Sequence, residues 1–195
     1  GVHVSPNNAA EKIADLVSLE SLVFGISRFG SGSHLMAKIM DESVTNFKVV
    51  DTMAGAAEAM KRGEIDVFLW DVATADSFAR EGVWKCIGTV SGEWPAFVLA
   101  VRPNCSLTEP ILRVLNQVRN HGMLLKEEPE FATLFLCDKY RITQEQAAAF
   151  IESISWSAAP NINRAALERV VSSLRVAQVI TEAVDLEKIV SCDFL

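Results

Sequence analysis

The chain has 195 residues, half of them hydrophobic and 22% charged, with a net charge of −7 spread evenly along its length. That balance belongs to a folded chain of one or two domains, not to a disordered one. No apolar run approaches the ~18–20 residues of a membrane-crossing helix, and no basic patch is present for a nucleic-acid backbone.

Val2-His3-Val4 reads as a single strand, followed by Ser5-Pro6-Asn7-Asn8 and a helical stretch over residues 9–17. From residue 22 to 102 two periodicities alternate. Strand-like runs lie at Leu22–Ser27, Phe47–Asp51, Ile65–Trp70, Cys86–Val90 and Ala96–Arg102, and helical patterns fall at 33–42, 55–62 and 73–81. Short apolar strands alternating with helices of ~10 residues predict βαβ units and a largely parallel sheet, so the fold class is α/β. Val67-Phe68-Leu69-Trp70 and Phe97-Val98-Leu99-Ala100-Val101 are continuously apolar, as expected of strands covered on both faces.

After Pro103 the signal turns helical: Leu107–His121, Pro129–Tyr140, Thr143–Ile151, Asn163–Val176 and Asp185–Ser191. Ser106 or Thr108 marks the first start, Thr143-Gln144-Glu145-Gln146 resembles a capping box, Asn163 precedes the fourth helix, and Gly122 reads as a C-cap. The apolar faces around Phe131, Leu134, Phe135, Phe150, Ile151 and Trp156 are too many for free exposure and call for a packing partner. Cys86, Cys105, Cys137 and Cys192 are scattered and form no CxxC pair, and His3, His34 and His121 show no metal-site spacing. Neither a metal nor another cofactor is expected. Scattered cysteines in apolar surroundings suit a reducing compartment.

The segment Ser27-Arg28-Phe29-Gly30-Ser31-Gly32-Ser33-His34 carries the clearest chemistry. It lies between a strand and a helix start, where backbone N–H groups and the helix dipole favour an anion. It lacks the Lys-Ser/Thr pair of a Walker loop and the third glycine of a dinucleotide fingerprint. The competing reading is a plain connector, with Ser33 as helix N-cap. In an open α/β sheet ligands sit beyond the carboxyl ends of the strands. The other strand ends contribute Thr52, then Trp70, Asp71 and Thr74, and finally Trp94. The candidate ligand-binding set is therefore Ser27, Arg28, Gly30, Ser31, Gly32, Ser33, His34, Thr52, Trp70, Asp71, Thr74 and Trp94. Arg28 suits a carboxylate, sulfonate or phosphate, or pairs with a surface carboxylate. The tryptophans suit a planar or cationic ring, with a core role the alternative for Trp70. Asp71 suits an amine or serves as an N-cap. His34 is a ligand contact or merely exposed.

Taken in order, Ile26 to His34, Gly55 to Thr74 and Ile87 to Val101 resemble the second lobe of a type II periplasmic-binding-protein fold. More narrowly, they are similar to the substrate-binding proteins of the nitrate, sulfonate and thiamine-precursor ABC-transporter group, especially the solute-binding-like proteins found outside bacterial periplasms. The resemblance covers residues 20–104 well and the helical tail only in general style. It implies two α/β lobes with ligand in the cleft between them, the first lobe beginning the chain and completed by C-terminal helices. Residues 1–20 would be a crossover strand and linker helix, 21–104 the ligand-binding lobe, and 105–195 the helices completing the first lobe. The ~80–100 residues of the first lobe's initial βα units would then be absent, the chain being a fragment or a short relative. Self-association through the helical region would supply the missing surface.

The function implied is binding without turnover, of a small polar or anionic ligand such as a sulfonate, a carboxylate or a pyrimidine-like compound. The alternatives are a thiamine-pyrimidine-precursor-synthase-like enzyme, whose iron site needs a cysteine-rich motif not found here, and a ligand-sensing or interaction module. The free thiols and lack of a leader favour the cytoplasm; a truncated N-terminus would leave a periplasmic or secreted protein open.

Overall fold

The computed structural model describes residues 1–92, 94, 97–98, 100–102, 105–154 and 163–190. A five-stranded sheet is formed by β1 (Val2–Val4), β2 (Phe24–Ile26), β3 (Phe47–Val49), β4 (Val67–Leu69) and β5 (Lys85–Gly88), in the order β3-β2-β4-β1-β5. β2 runs parallel to β3 and β4, whereas β1 is antiparallel to both its neighbours, β4 and β5. Parallel neighbours need crossovers, and these are α1 (Gly32–Met40) and α2 (Met53–Lys61); α3 (Val72–Arg80) leads from β4 to β5. β1 enters from the chain start and lies between β4 and β5. All three of its residues are buried, the polar His3 included, as expected of a strand covered on both faces.

The two sheet faces carry separate cores. On one, Ala37 of α1 packs with Val2, Val4, Phe24, Val67 and Leu69. On the other, Ala56, Ala57 and Met60 of α2 and Ala75 of α3 pack with Phe68 and Trp84. The alanines let α2 approach the sheet closely. Trp84 also donates its indole N–H to the Ala75 carbonyl at 3.0 Å, which satisfies its one polar atom inside the core. Asp66 accepts from the Val23 N–H at 2.7 Å, tying the chain ahead of β2 to the start of β4.

Several expectations shift. The strand expected over Phe47–Asp51 stops at Val49, because Asp51 adopts the left-handed conformation at φ 58°. The strand expected at Ala96–Arg102 does not form at residues 97–98 and 100–102, and Phe97 is 93% exposed; residues 96 and 99 lie outside the described set. None of its described residues joins the sheet. The helix expected over 9–17 is replaced by two short 3-10 turns, Ile13–Asp15 and Leu19–Ser21. Here the Asp15 carboxylate accepts from the Glu11 and Lys12 N–H groups, both at 3.0 Å, and competes with helical pairing.

The chain divides into two compact units, residues 1–94 with 168–182, and residues 95–167 with 183–195. In the second unit α4 (Thr108–Glu127) packs against α5 (Pro129–Tyr140) and α6 (Gln144–Ser153), which also pack on each other. Gly122 is not a C-cap: α4 continues through it to Glu127, and the glycine is buried within the helix. Neither Ser106 nor Thr108 caps that helix; Leu107 holds the position without a side-chain bond, and Thr108 is the first helical residue. Arg141, at φ 57°, ends α5, and Thr143 with Gln146 closes a full capping box on α6. Asn163 accepts from Ala166 N–H at 3.1 Å at the start of α7 (Arg164–Val176), and Asp185 caps the short α8 (Leu186–Ile189). Ile151 is buried, but Phe131, Leu134, Phe135 and Phe150 are 41–60% exposed, so the apolar face expected to be covered is open on the described residues; Trp156 lies outside them.

Candidate functional site

The carboxyl ends of β3, β2 and β4 lie side by side at one edge of the sheet, because all three strands run the same way. The turn Ser27–Ser31 leaves β2 at the middle of that edge, Val50–Thr52 leaves β3 on one side, and Trp70–Asp71 leaves β4 on the other. Each turn ends in an N-cap. Ser31, Thr52 and Asp71 accept from the backbone N–H of His34, Gly55 and Thr74 at 3.4, 3.0 and 2.9 Å. The cap of α1 is thus Ser31 and not Ser33, because Gly32 is already the first helical residue.

The Gly/Ser turn is held from within. Ser33 Oγ accepts from the Ser27 N–H at 3.0 Å and lies 3.0 Å from Ser31 Oγ. Both hydroxyls are buried, and both oxygens already accept a backbone N–H. One of the two hydroxyl protons bridges them, so the other is left to donate elsewhere. His34 is buried rather than exposed, and its Nδ1 accepts from the Gly30 N–H at 3.1 Å. That bond requires an unprotonated Nδ1, which places the proton of the neutral ring on Nε2. Burial, with the Lys38 ammonium one turn on, pushes the imidazole below its usual value and keeps it neutral. Its ring meets Phe47 edge-on with centroids 4.7 Å apart and Phe29 at 5.3 Å. Gly30 takes φ 77°, which a side chain would resist, whereas a Cβ at Gly32 would meet nothing within 4 Å.

What remains for a ligand is specific. The N–H groups of Gly32 and Ser33, the first two of α1, have no partner among the described residues, whereas Ser31 N–H is taken by Arg28 O at 3.1 Å. Arg28 is exposed and makes no ion pair among the described residues, so the surface pairing offered as its alternative is not formed. The Ser27 hydroxyl is unpaired on the same terms. Two amides, a guanidinium and two hydroxyl protons therefore stand on one turn at a positive helix end, an arrangement suited to an anion.

The other predicted residues sit around this turn in varied states. Thr52 is exposed, and its hydroxyl donates to no partner among the described residues. Both carboxylate oxygens of Asp71 already accept from Thr74, one from its N–H and one from its hydroxyl. Trp70 is half-buried and stacked on Phe68 at 5.5 Å and 17°, so one ring face is committed to the core. Trp94 is folded back over Gly92, and no hydrogen bond or ring contact joins it to the turn among the described residues. Two features of this edge escaped the sequence reading. Asp51 is held at φ 58°, for which the Asp-before-cap position was a usable signal. Phe29 is 65% exposed on the turn itself, and nothing in the sequence marked it as open. Two concavities lie elsewhere: one of about 390 Å³ at the opposite edge of the sheet, near Ser5 and Gly82, and one of about 700 Å³ along α4. The turn is a surface cradle, not a cavity. No three His, Cys, Asp or Glu side chains cluster as a metal set among the described residues.

The same fold is found in solved proteins. A Candida albicans protein, CA3427, described as defining a new family with the generic periplasmic-binding-protein fold, superimposes with a TM-score of 0.79 over 95% of this chain and 64% of its own, at 17% identity. This chain has a periplasmic-binding-protein-like fold. The sequence model of the family described as "Ca3427-like PBP" matches residues 3–90, just under half of the chain. The periplasmic aliphatic sulphonate binding protein SsuA from Escherichia coli shares the periplasmic-binding-protein-like fold at a TM-score of 0.52 and 16% identity, over 91% of this chain and 58% of its own. This chain thus spans less than two thirds of the length of either protein. No curated protein sequence matches it significantly. Residues 3–90 enclose the five strands almost entirely, with the cradle among them.

Proposed function

We propose that the protein belongs with the Ca3427-like binding proteins and reversibly holds a small anionic ligand at the Ser27–His34 cradle, without turnover. The observation that carries this reading is the pair of amides at Gly32 and Ser33 and the exposed Arg28 on the same turn, none of them with a partner among the described residues. Ser27 and the Ser31–Ser33 pair add hydroxyl donors, and Gly30 and His34 fix the turn. Thr52 offers a donor from the neighbouring strand end. Trp70, Asp71 and Thr74 follow the neighbouring strand end, with Asp71 and Thr74 acting first as a helix cap. A monoanion with two or three oxygens, a carboxylate or a sulfonate, matches two amides and a guanidinium fork. The likeness to a sulfonate-binding protein favours the sulfonate class.

A thermal-shift panel of sulfate, alkanesulfonates, small carboxylates and pyrimidines tests this. A ligand at about 100 times its Kd adds about 2.7 kcal/mol to the native state by mass action. Sulfonates or carboxylates are expected to raise the melting temperature of the wild type and not that of Gly32→Val, whose side chain enters open space and leaves the fold intact. An equal shift in the variant, or consumption of the ligand, contradicts the reading.

A further inference from the structure

α4 carries a trough with only one wall. The hollow of about 700 Å³ along this helix is lined by residues of α4 alone, among them Arg113, Val114, Val118, His121 and Leu125. Val114 is 61% exposed and Val118 54%. From Ile111 onward, Val114, Val118, His121 and Leu125 follow at alternating steps of three and four residues. That is the a/d spacing of a seam between two helices, kept over two heptads. His121 does not break the seam. Its Nδ1–H donates to the Gln117 carbonyl of the same helix at 2.7 Å, so the ring can lie against an apolar neighbour.

The charges beside the seam select the helix that fits it. Arg113 stands near its start and Glu128 just past its end; both are exposed, and neither makes an ion pair among the described residues. Glu128 still follows the helical path, since its N–H donates to the Leu124 carbonyl at 2.9 Å. At about 1.5 Å per residue the two lie about 22 Å apart along the helix. Consider a second α4 laid antiparallel, with Val118 opposite its His121 and Val114 opposite its Leu125. Each Arg113 then comes within one turn of the other copy's Glu128. Lys126, which the same register brings level with Arg113, is turned toward α6, where its ammonium donates to the Glu152 carbonyl at 3.4 Å. A parallel pairing would instead set Arg113 against Arg113 and Glu128 against Glu128, and like charges across an interface are repulsive.

We propose that α4 is a self-association surface, through which two copies of this chain pair by antiparallel α4 helices about a two-fold axis between Arg119 and Asn120. The contact is isologous, so every residue pair occurs twice and the assembly closes as a dimer. It supplies the missing wall of the trough and takes Val114 and Val118 out of water. The inference owes nothing to the anion cradle. A seam of about two heptads is smaller than a standard interface, so the dimer is weak, with a Kd of about 10–100 µM.

Sedimentation equilibrium of the whole chain, from about 5 to 500 µM, reads this association. The deciding variants are Arg113→Glu and Glu128→Arg, since both positions are exposed and neither change touches a core. Each alone sets like charges at both ends of the seam and is expected to weaken the dimer at least about tenfold. Mixed in equal amounts, the two variants regain both opposite-charge pairs and are expected to form a mixed dimer close to wild-type affinity. Val118→Asp is expected to leave a monomer. A wild type that stays monomeric over the whole range overturns the proposal. So does a wild-type dimer that Val118→Asp leaves intact, because another surface then holds it. Single charge variants as tight as the wild type, or a mixture that does not associate, overturn the antiparallel pairing.

Discussion

Acidification is expected to unfold the sheet through one residue, His3. It sits in the middle of β1, 1% exposed, between β4 and β5. Its Nδ1–H donates to the Phe68 carbonyl at 3.2 Å, and its ring lies 5.4 Å from that of Trp84. Burial, reinforced by the nearby amino terminus, pushes the imidazole down to about 4 from its ordinary 6.5. The unfolded chain therefore takes up a proton, between those two values, that the native state refuses. His3 costs no stability above pH 6.5, and stability falls as the pH drops from there toward 4. At about pH 4.5 the difference works out at about 2.5 kcal/mol, or roughly 10–20 °C in melting temperature for a unit of this size. His34, also shifted down by burial, adds a loss of the same sign. Urea melts at about pH 7.5 and pH 4.5, on the wild type and on His3→Gln, isolate the His3 share. The variant keeps a donor for Phe68 O but has no proton to take up, so its stability is expected to fall by about 2.5 kcal/mol less. Equal falls in the two proteins would refute the placement of His3 in a dry central strand.

A Cβ at Gly55 would stand 2.1 Å from the Val50 carbonyl oxygen, a backbone atom that cannot step aside; Gly55→Ala is expected to cost about 3 kcal/mol in a urea melt, at the upper end of overpacking effects. Thr52→Ala removes the cap of α2 and is expected to cost about 1 kcal/mol, with Thr52→Ser restoring it; a neutral Thr52→Ala would show that the hydroxyl does not cap. Nitrogen-15 chemical shifts of His34 are expected to report the Nε2–H tautomer, with the ring still neutral below pH 6.5, and a ring protonated at Nδ1 at neutral pH would break the Gly30 contact described.

The sheet was legible because strands covered on both faces are apolar throughout, as at Val67–Leu69, and because Thr52 and Asp71 stand where helices begin. Even the placement of Val2–Val4 as a lone strand followed from its composition. Its antiparallel position between β4 and β5 did not, since nothing in three residues encodes partners more than sixty positions away. The Ala96–Arg102 run misled for the converse reason: an apolar run says that burial is favourable, not that a neighbouring strand is there to supply it. Gly122 failed as a stop signal because a helix tolerates glycine at a cost of about 1 kcal/mol when its neighbours pack closely. At the cradle, the residue types announced the turn, but the division of labour needed coordinates. Ser33 and His34 turned out to support the loop from inside, and two of the groups left for a ligand are main-chain amides, which no side-chain pattern can display.

The claim that Gly32 and Ser33 present unpaired amides to an anion is tested most directly by following their N–H resonances during titration with an alkanesulfonate. Both are expected to move together, saturably and with one Kd, while the amides at the opposite edge of the sheet near Gly63 and Gly82 stay in place. Saturable shifts confined to residues away from Ser27–His34, or no shift at Gly32 and Ser33 while the ligand binds, would contradict it.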